Sequence, residues 1–186
     1  MKTLKNIATF LLLGISLINL SSCEKVKDLA ASDVTLNLPQ QHFTFSGSSM
    51  KSGDEVVLYS NFVEVNLDSI LNAEGISSGS LTATTFTTLS ITMEQPVDST
   101  FHWMSSMRAV VADIENFSPE HEVGNAVNND PLSKTLTVTL NNTNISQYLT
   151  QPSFWLRLYC TPTGPMPSYS IGMFMDGSVK LRITPF

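Results

Sequence analysis

The run Thr135-Leu136-Thr137-Val138-Thr139-Leu140 decides the fold class. Apolar and threonine residues alternate strictly, and a period of two is that of a strand with one buried and one wet face. Threonine and valine are β-branched, which favours the pleated conformation over a helix. The alternation recurs on both sides of this run. Downstream, Phe154, Leu156, Leu158 and Cys160 alternate with Trp155, Arg157 and Tyr159. Upstream, Val34, Leu36 and Leu38 alternate with polar residues, His42 to Phe45 follows, and Glu55 to Leu67 is long and rich in Val, Leu, Tyr and Phe. Leu81, Ala83, Leu89, Ile91 and Met93 are expected on one face of a Thr-rich strand that stops at Pro96. Met107 to Ile114 is apolar enough for a strand buried on both faces at its centre, and Val123 to Val127 is a weaker strand.

Ile171 to Met175 and Val179 to Ile183 close the chain, with Asp176-Gly177 between them as either a hairpin turn or a glycine within one long strand. Helical pattern is confined to Asn66–Leu71, Ser99–Ser105 and Asn144–Leu149, each a single turn or little more. Strands spaced by turn signals, with no long helix and no repeat, lead to an all-β antiparallel immunoglobulin-like sandwich of about seven to nine strands with short helical turns. The Cys-Trp-Cys pattern of antibody domains is absent, so the term describes architecture alone.

The N-terminus sets the compartment. Lys2 and Lys5 precede a mostly apolar run from Ile7 to Ile18, closed by Leu20-Ser21-Ser22-Cys23. About a dozen apolar residues are too few to span a ~30 Å hydrocarbon core, so the run reads as an export signal. Its end resembles the lipobox of bacterial lipoproteins, in which the cysteine is lipidated and becomes the mature N-terminus. That resemblance implies a signal peptide over 1–22, lipidation (palmitate among the acyl chains) at Cys23, and an outer-membrane anchor. Residues 23–33 then read as lipidated cysteine and tether, and 34–186 as the sandwich domain. Several acyl chains on one cysteine hold a membrane stably, at about 0.8 kcal/mol per buried CH₂.

Removing residues 1–22 from the 186 leaves 164, one domain's worth. Lys2 and Lys5 go with the signal, leaving 8 basic against 16 acidic residues, a net charge of −8. An acidic body without a basic cluster argues against nucleic acid and against electrostatic adhesion to anionic lipid. With Cys23 acylated, Cys160 has no disulfide partner and is expected as an inert core residue.

The order of a long strand, the Asn66-Leu67-Asp68-Ser69-Ile70-Leu71 helix, a Thr-rich strand and the turn Thr100-Phe101-His102-Trp103-Met104 carries a second resemblance. With the apolar strand and the Thr-Leu-Thr-Val-Thr-Leu run that follow, it is similar to a loose group of bacterial β-sandwich lipoproteins. That likeness covers most of 34–186 and brings no catalytic motif.

No Gly-rich phosphate loop, His-Glu-x-x-His, Cys-x-x-Cys or Gly-x-Ser-x-Gly occurs, so no catalytic or metal residue and no cofactor is assigned. Glu120-His121-Glu122 is the densest polar cluster, with His102 able to join it only through the fold; adjacent side chains diverge, and a solvated loop accounts for them. Asp113 and Glu115 would share one side of an extended segment and could act as paired carboxylates of a glycosidase, or mark a strand leaving the core. Asn128-Asn129-Asp130-Pro131 and Asn141-Asn142-Thr143-Asn144 carry oxygens, but such clusters are ordinary turn chemistry. The methionines Met93, Met104, Met107, Met173 and Met175 read as core filler.

Two aromatic sets remain. Trp155, Arg157 and Tyr159 line one strand face, as a platform for a sugar or partner or as a cross-strand ladder. Trp103, beside His102 on an expected turn, is a second candidate for an exposed aromatic. Ser69 and Ser99 sit in Asp-Ser-Ile and Asp-Ser-Thr, similar to bacterial O-glycosylation acceptors, and Ser99 is expected to be the more accessible. Together these features lead to a non-enzymatic envelope protein presenting a binding surface to a glycan or protein partner. An accessory subunit of an outer-membrane complex is the second expectation, and a carbohydrate-active enzyme the third.

Overall fold

The computed structural model describes residues 31–46, 53–73, 80–151 and 153–184. The expected signal segment, Cys23 and the expected tether up to residue 30 lie outside the described residues.

The chain is an all-β antiparallel sandwich. Its described elements are β1 (Ser32–Asn37), β2 (Gln41–Ser46), β3 (Val56–Glu64), α1 (Leu67–Ala73), β4 (Ser80–Gln95), β5 (Met104–Ala112), β6 (His121–Val127), β7 (Thr135–Thr137), β8 (Thr139–Leu140), α2 (Ser146–Leu149), β9 (Ser153–Pro162) and β10 (Ser170–Thr184). One sheet runs β1-β10-β4-β7 with β2 also on β10; the other runs β3-β9-β5-β6-β8. The ten strands exceed the expected seven to nine because two sequence runs are each cut in two. Pro39 interrupts the first, so β1 and β2 lie end to end on one edge of β10. The second is the 135–140 run. Thr135–Thr137 pairs with β4 in one sheet, Val138 donates its N–H to Leu89 O at 2.8 Å, and Thr139–Leu140 pairs with β6 in the other.

The chain therefore stitches the two sheets together along one edge at Val138. The stitch leaves no room beside Gly124, where a Cβ would meet Thr139 O at 2.5 Å and Val138 Cγ1 at 2.7 Å. At the opposite edge, between β1/β2 and β3, no strand run among the described residues pairs with both sheets. That edge closes by side-chain packing, with Phe43 against Tyr59 at 4.9 Å between ring centroids.

One core fills the space between the sheets. Leu89, Ile91, Ala109, Val111, Leu156, Leu158, Met173, Val179 and Leu181 are each fully buried there. Met93, Met104, Met107, Met173 and Met175 all belong to it, as does Cys160, whose thiol burial pushes up to about 12. β9 alternates as its sequence requires, while β4 does not keep a single phase. Against β10 it carries an extra residue at Thr82, Thr87 and Glu94. Each bulge turns the following side chains to the other face. Leu89, Ile91 and Met93 thus point inward, then Thr84 and Phe86 do, and Ala83 pairs with exposed Arg182 on the outer face. The expectation that Ala83 shares the inner face is corrected by these bulges.

Other boundaries also move. Ser32 and Asp33, assigned to the tether, are in β1, where Asp33 contacts Lys180 at 2.7 Å. Ser99–Ser105 forms no helix; bends and turns lead into β5. Asp176-Gly177 lies within β10, and Asp176 Oδ1 accepts from Gln40 Nε2 at 2.9 Å.

The antiparallel register gives the sandwich two distinct ends. Ser32, Ser80 and Thr184 meet at the near end, together with α1, α2 and the 113–120 segment. The loops 96–103, 128–134 and 163–169 occupy the far end. There Asn128 Nδ2 donates to Phe101 O and Met104 O, and Lys134 Nζ to Val97 O.

Candidate functional site

The outer face of the β3-β9-β5-β6-β8 sheet carries the Trp155, Arg157 and Tyr159 row. In register, Phe62, Trp155 and Ala112 form one rung, and Ser60, Arg157 and Val110 the next. Val110 and Ala112 are buried although they face away from the main core. The 113–120 segment folds back over them, and Phe117 caps a second small cluster against Trp155 and Tyr159.

Arg157 holds that segment down. Its Nη2 donates to Glu115 O at 3.0 Å, Nε to Ser60 Oγ at 3.1 Å and Nη1 to Tyr159 Oη at 3.2 Å, while its guanidinium lies 3.8 Å from the Phe117 ring centre. Arg108 performs a parallel task over Tyr159. It makes a two-pronged contact with Glu55 at 2.9 and 2.8 Å and reaches Glu120 at 2.8 Å. These carboxylates hold the guanidinium well above its ordinary pKa, and Arg108 in turn holds the Glu55 carboxyl below the usual range.

The row is thus a cross-strand ladder already occupied by the protein's own loop. Arg157 and Tyr159 are engaged by these contacts, and Trp155, Arg157 and Tyr159 are each only part-exposed. Trp103 is corrected outright. It is 3 % exposed and stacks parallel on Phe45 at 5.8 Å, because the turn it occupies folds inward over the far end of the core.

The remaining candidates separate. Asp113 and Glu115 lie on bends and turns past the end of β5, so no extended segment aligns them; both are exposed. Glu120 turns to Arg108, His121 packs edge-on against Tyr148 at 5.9 Å, and Glu122 accepts from Asn125 at 3.3 Å. His121 and Glu122 begin β6 where a loop was expected, and His102 bonds Thr100 at the far end, remote from them. Among the described residues no group of three His, Cys, Asp or Glu converges on a metal-sized space. The asparagine clusters are turns: Asn141 Nδ2 donates to Glu122 O at 2.9 Å, and Asn144 Oδ1 accepts from Thr84 N and Ser146 N. Ser99 is buried at 8 %, whereas Ser69 is exposed on the first turn of α1, which reverses their expected accessibility.

What the structure adds is a groove at the unstitched edge. It encloses about 750 Å³ between Pro39, the end of β3, α1 and the segment following α2. Glu64, Asn66, Asp68, Thr150, Gln151 and Ser153 supply its polar wall. Asn66 caps α1, its Oδ1 accepting the Ser69 N–H at 2.9 Å. A shallower recess of about 340 Å³ adjoins it, sharing Pro39 and Glu64 and reaching Asn61 and Phe62. Phe62 is 45 % exposed and sits edge-on to Trp155 at 6.0 Å. Sequence reasoning missed this site because its walls come from three separate stretches of chain. The one local signal was Asn61-Phe62, where the alternation of an apolar strand breaks and leaves a large ring outside.

No family model and no curated protein matches the chain. Among solved structures, the decameric BFDV capsid protein aligns over 83% of this chain and 100% of its own, at 12% identity and TM-score 0.36. The infectious bursal disease virus VP2 subviral particle aligns over 83% of this chain and 33% of its own, at 12% identity and TM-score 0.34. Turnip Yellow Mosaic Virus aligns over 83% and 96%, at 12% identity and TM-score 0.26. Likeness at this level says nothing about what this chain does.

Proposed function

We propose that this protein is a lipid-anchored, non-enzymatic β-sandwich of the bacterial outer membrane that offers a binding surface to a glycan or protein partner. The observation that carries the reading is the Leu20-Ser21-Ser22-Cys23 lipobox directly behind an apolar export run. The distance from anchor to domain supports it. Only residues 24–31 separate Cys23 from β1, a reach of at most roughly 30 Å at ~3.3–3.6 Å per residue. The tether enters the near end, so the far-end loops would point away from the bilayer.

Cys23→Ala tests the anchor. Palmitate labelling should vanish and an unprocessed precursor accumulate; labelled mature protein in the variant would end the lipoprotein reading. Protease shaving of intact cells, with a periplasmic marker as control, then tells whether the partner lies outside the cell or in the periplasm.

A second reading, an accessory subunit of an outer-membrane complex, is favoured by Val97, Leu132 and Tyr169. These are 65, 78 and 47 % exposed on the three far-end loops. Exposed apolar side chains at one end of a domain suit a protein contact. In-cell crosslinking would capture a stoichiometric membrane partner under this reading, and Leu132→Asp would abolish the capture.

A further inference from the structure

We propose that the groove at the unstitched edge is a saccharide site for a non-anionic, polyhydroxylated ligand, with Phe62 as its stacking platform. The proposal rests on the reading of the domain as a binding module and names its ligand class and location. The size fits, since ligand pockets span about 300–1,000 Å³ and this one holds about 750 Å³.

The chemistry narrows the class. The wall offers carboxylates from Glu64 and Asp68, amides from Asn66 and Gln151, and hydroxyls from Thr150 and Ser153. Neighbouring carboxylate and amide groups can accept from and donate to the adjacent hydroxyls of one sugar ring. Among the described residues no lysine or arginine lines either part of the groove, and two carboxylates do. A phosphate, sulfate or uronic acid would meet like charge from Glu64 and Asp68 there. Phe62, half out of the surface and held edge-on by Trp155, gives a ring face on which the C–H side of a sugar can lie.

A peptide strand added to the free edge of β3 suits the geometry less well. Asn61 Oδ1 already takes the Phe62 N–H at 2.9 Å, removing a donor that strand addition would use.

The experiment exposes the full-length chain, purified in mild detergent, to an array of neutral, N-acetylated and uronic oligosaccharides, followed by titration of the best probe. Neutral or N-acetylated probes should be retained. Phe62→Ala and Glu64→Gln should each weaken binding by roughly 10-fold, the scale of losing a stacking ring or a charged hydrogen bond. Both side chains are exposed, so both variants should remain folded. Glu64→Gln should leave thermal unfolding unchanged, and Phe62→Ala should lower it only slightly, by the lost edge contact with Trp155. Retention that survives both variants would overturn the groove while leaving the domain a glycan binder. Preferential retention of uronic probes would overturn the ligand class. No retention at all would overturn the proposal and leave the anchored-module reading to the labelling and crosslinking results.

Discussion

The two edges of the sandwich are closed by different means. At one, the backbone itself crosses from sheet to sheet at Val138, so tightly that Gly124 has no space for a methyl group. At the other, Pro39 breaks the outermost strand of one sheet, β3 is the marginal strand of the other with only β9 beside it, and among the described residues the two margins meet through side chains such as Phe43 and Tyr59. A run of main chain hydrogen-bonded to both sheets holds one edge shut, whereas an edge held by packed rings leaves a groove. The difference shows where this fold can tolerate variation: exposed residues at the open edge can change while the stitched edge keeps the sheets in register.

Substitutions should reveal that asymmetry in order of size. Gly124→Ala, at the stitched edge, pushes a methyl into the Thr139 carbonyl and should cost about 3 kcal/mol, the upper range for overpacking. Urea denaturation measures it, and a loss under ~1 kcal/mol would mean the crossing is looser than described. Phe43→Ala, at the open edge, removes a partly exposed ring from Tyr59 and should cost about 1.5–2 kcal/mol, below the range for a fully buried ring. Hydrogen exchange should quicken in β2 and β3 and stay unchanged in β7 and β8.

Acid gives a finer test. Glu55 stands just before β3 and ties that strand to Arg108. Its pKa is lowered by the Arg108 hydrogen bonds, so the stabilisation is fully present above the ordinary carboxylate range. It is lost as pH falls through the lowered folded-state value. Amides of β3 should lose protection across that window in the parent protein, while Glu55→Gln should lack this pH-dependent step. The smallest effect belongs to Thr92→Val on the outer face of β4. The hydroxyl there bonds Thr135 at 3.0 Å in the open, and the change in stability should stay within ±0.5 kcal/mol.

The strands and their layering could be read from alternation because one buried face imposes a period of two. Leu136, Val138 and β9 follow it residue by residue. The failures occurred where period and partner part company. A bulge changes phase without leaving a composition mark, so Ala83 was assigned to the wrong face. The 135–140 run alternates perfectly yet serves two sheets, since side-chain pattern is silent about which neighbour takes the hydrogen bonds. Trp155, Arg157 and Tyr159 have the composition of a binding face. Only the return of Phe117 onto Arg157, across a long sequence separation, reveals that the face is filled from within. Trp103 and Ser99 were misplaced for a related reason: turn residues are exposed by default, and these turns fold over the end of the core. The groove had no sequence signature because none of its walls is a motif.

The end-to-end placement of β1 and β2 on β10 has a mechanical consequence. A pull on the chain ahead of Ser32, against a load held at the far end, runs along these strands. Antiparallel hydrogen bonds lie across the strand direction, so such a force shears the ladder instead of unzipping it pair by pair. Six residue pairs of β1 and six of β2 lie in that line, with the Leu38 N–H to Gly177 O bond between them. β1 is therefore built, together with β2, as a lap joint, which yields only when many bonds fail together.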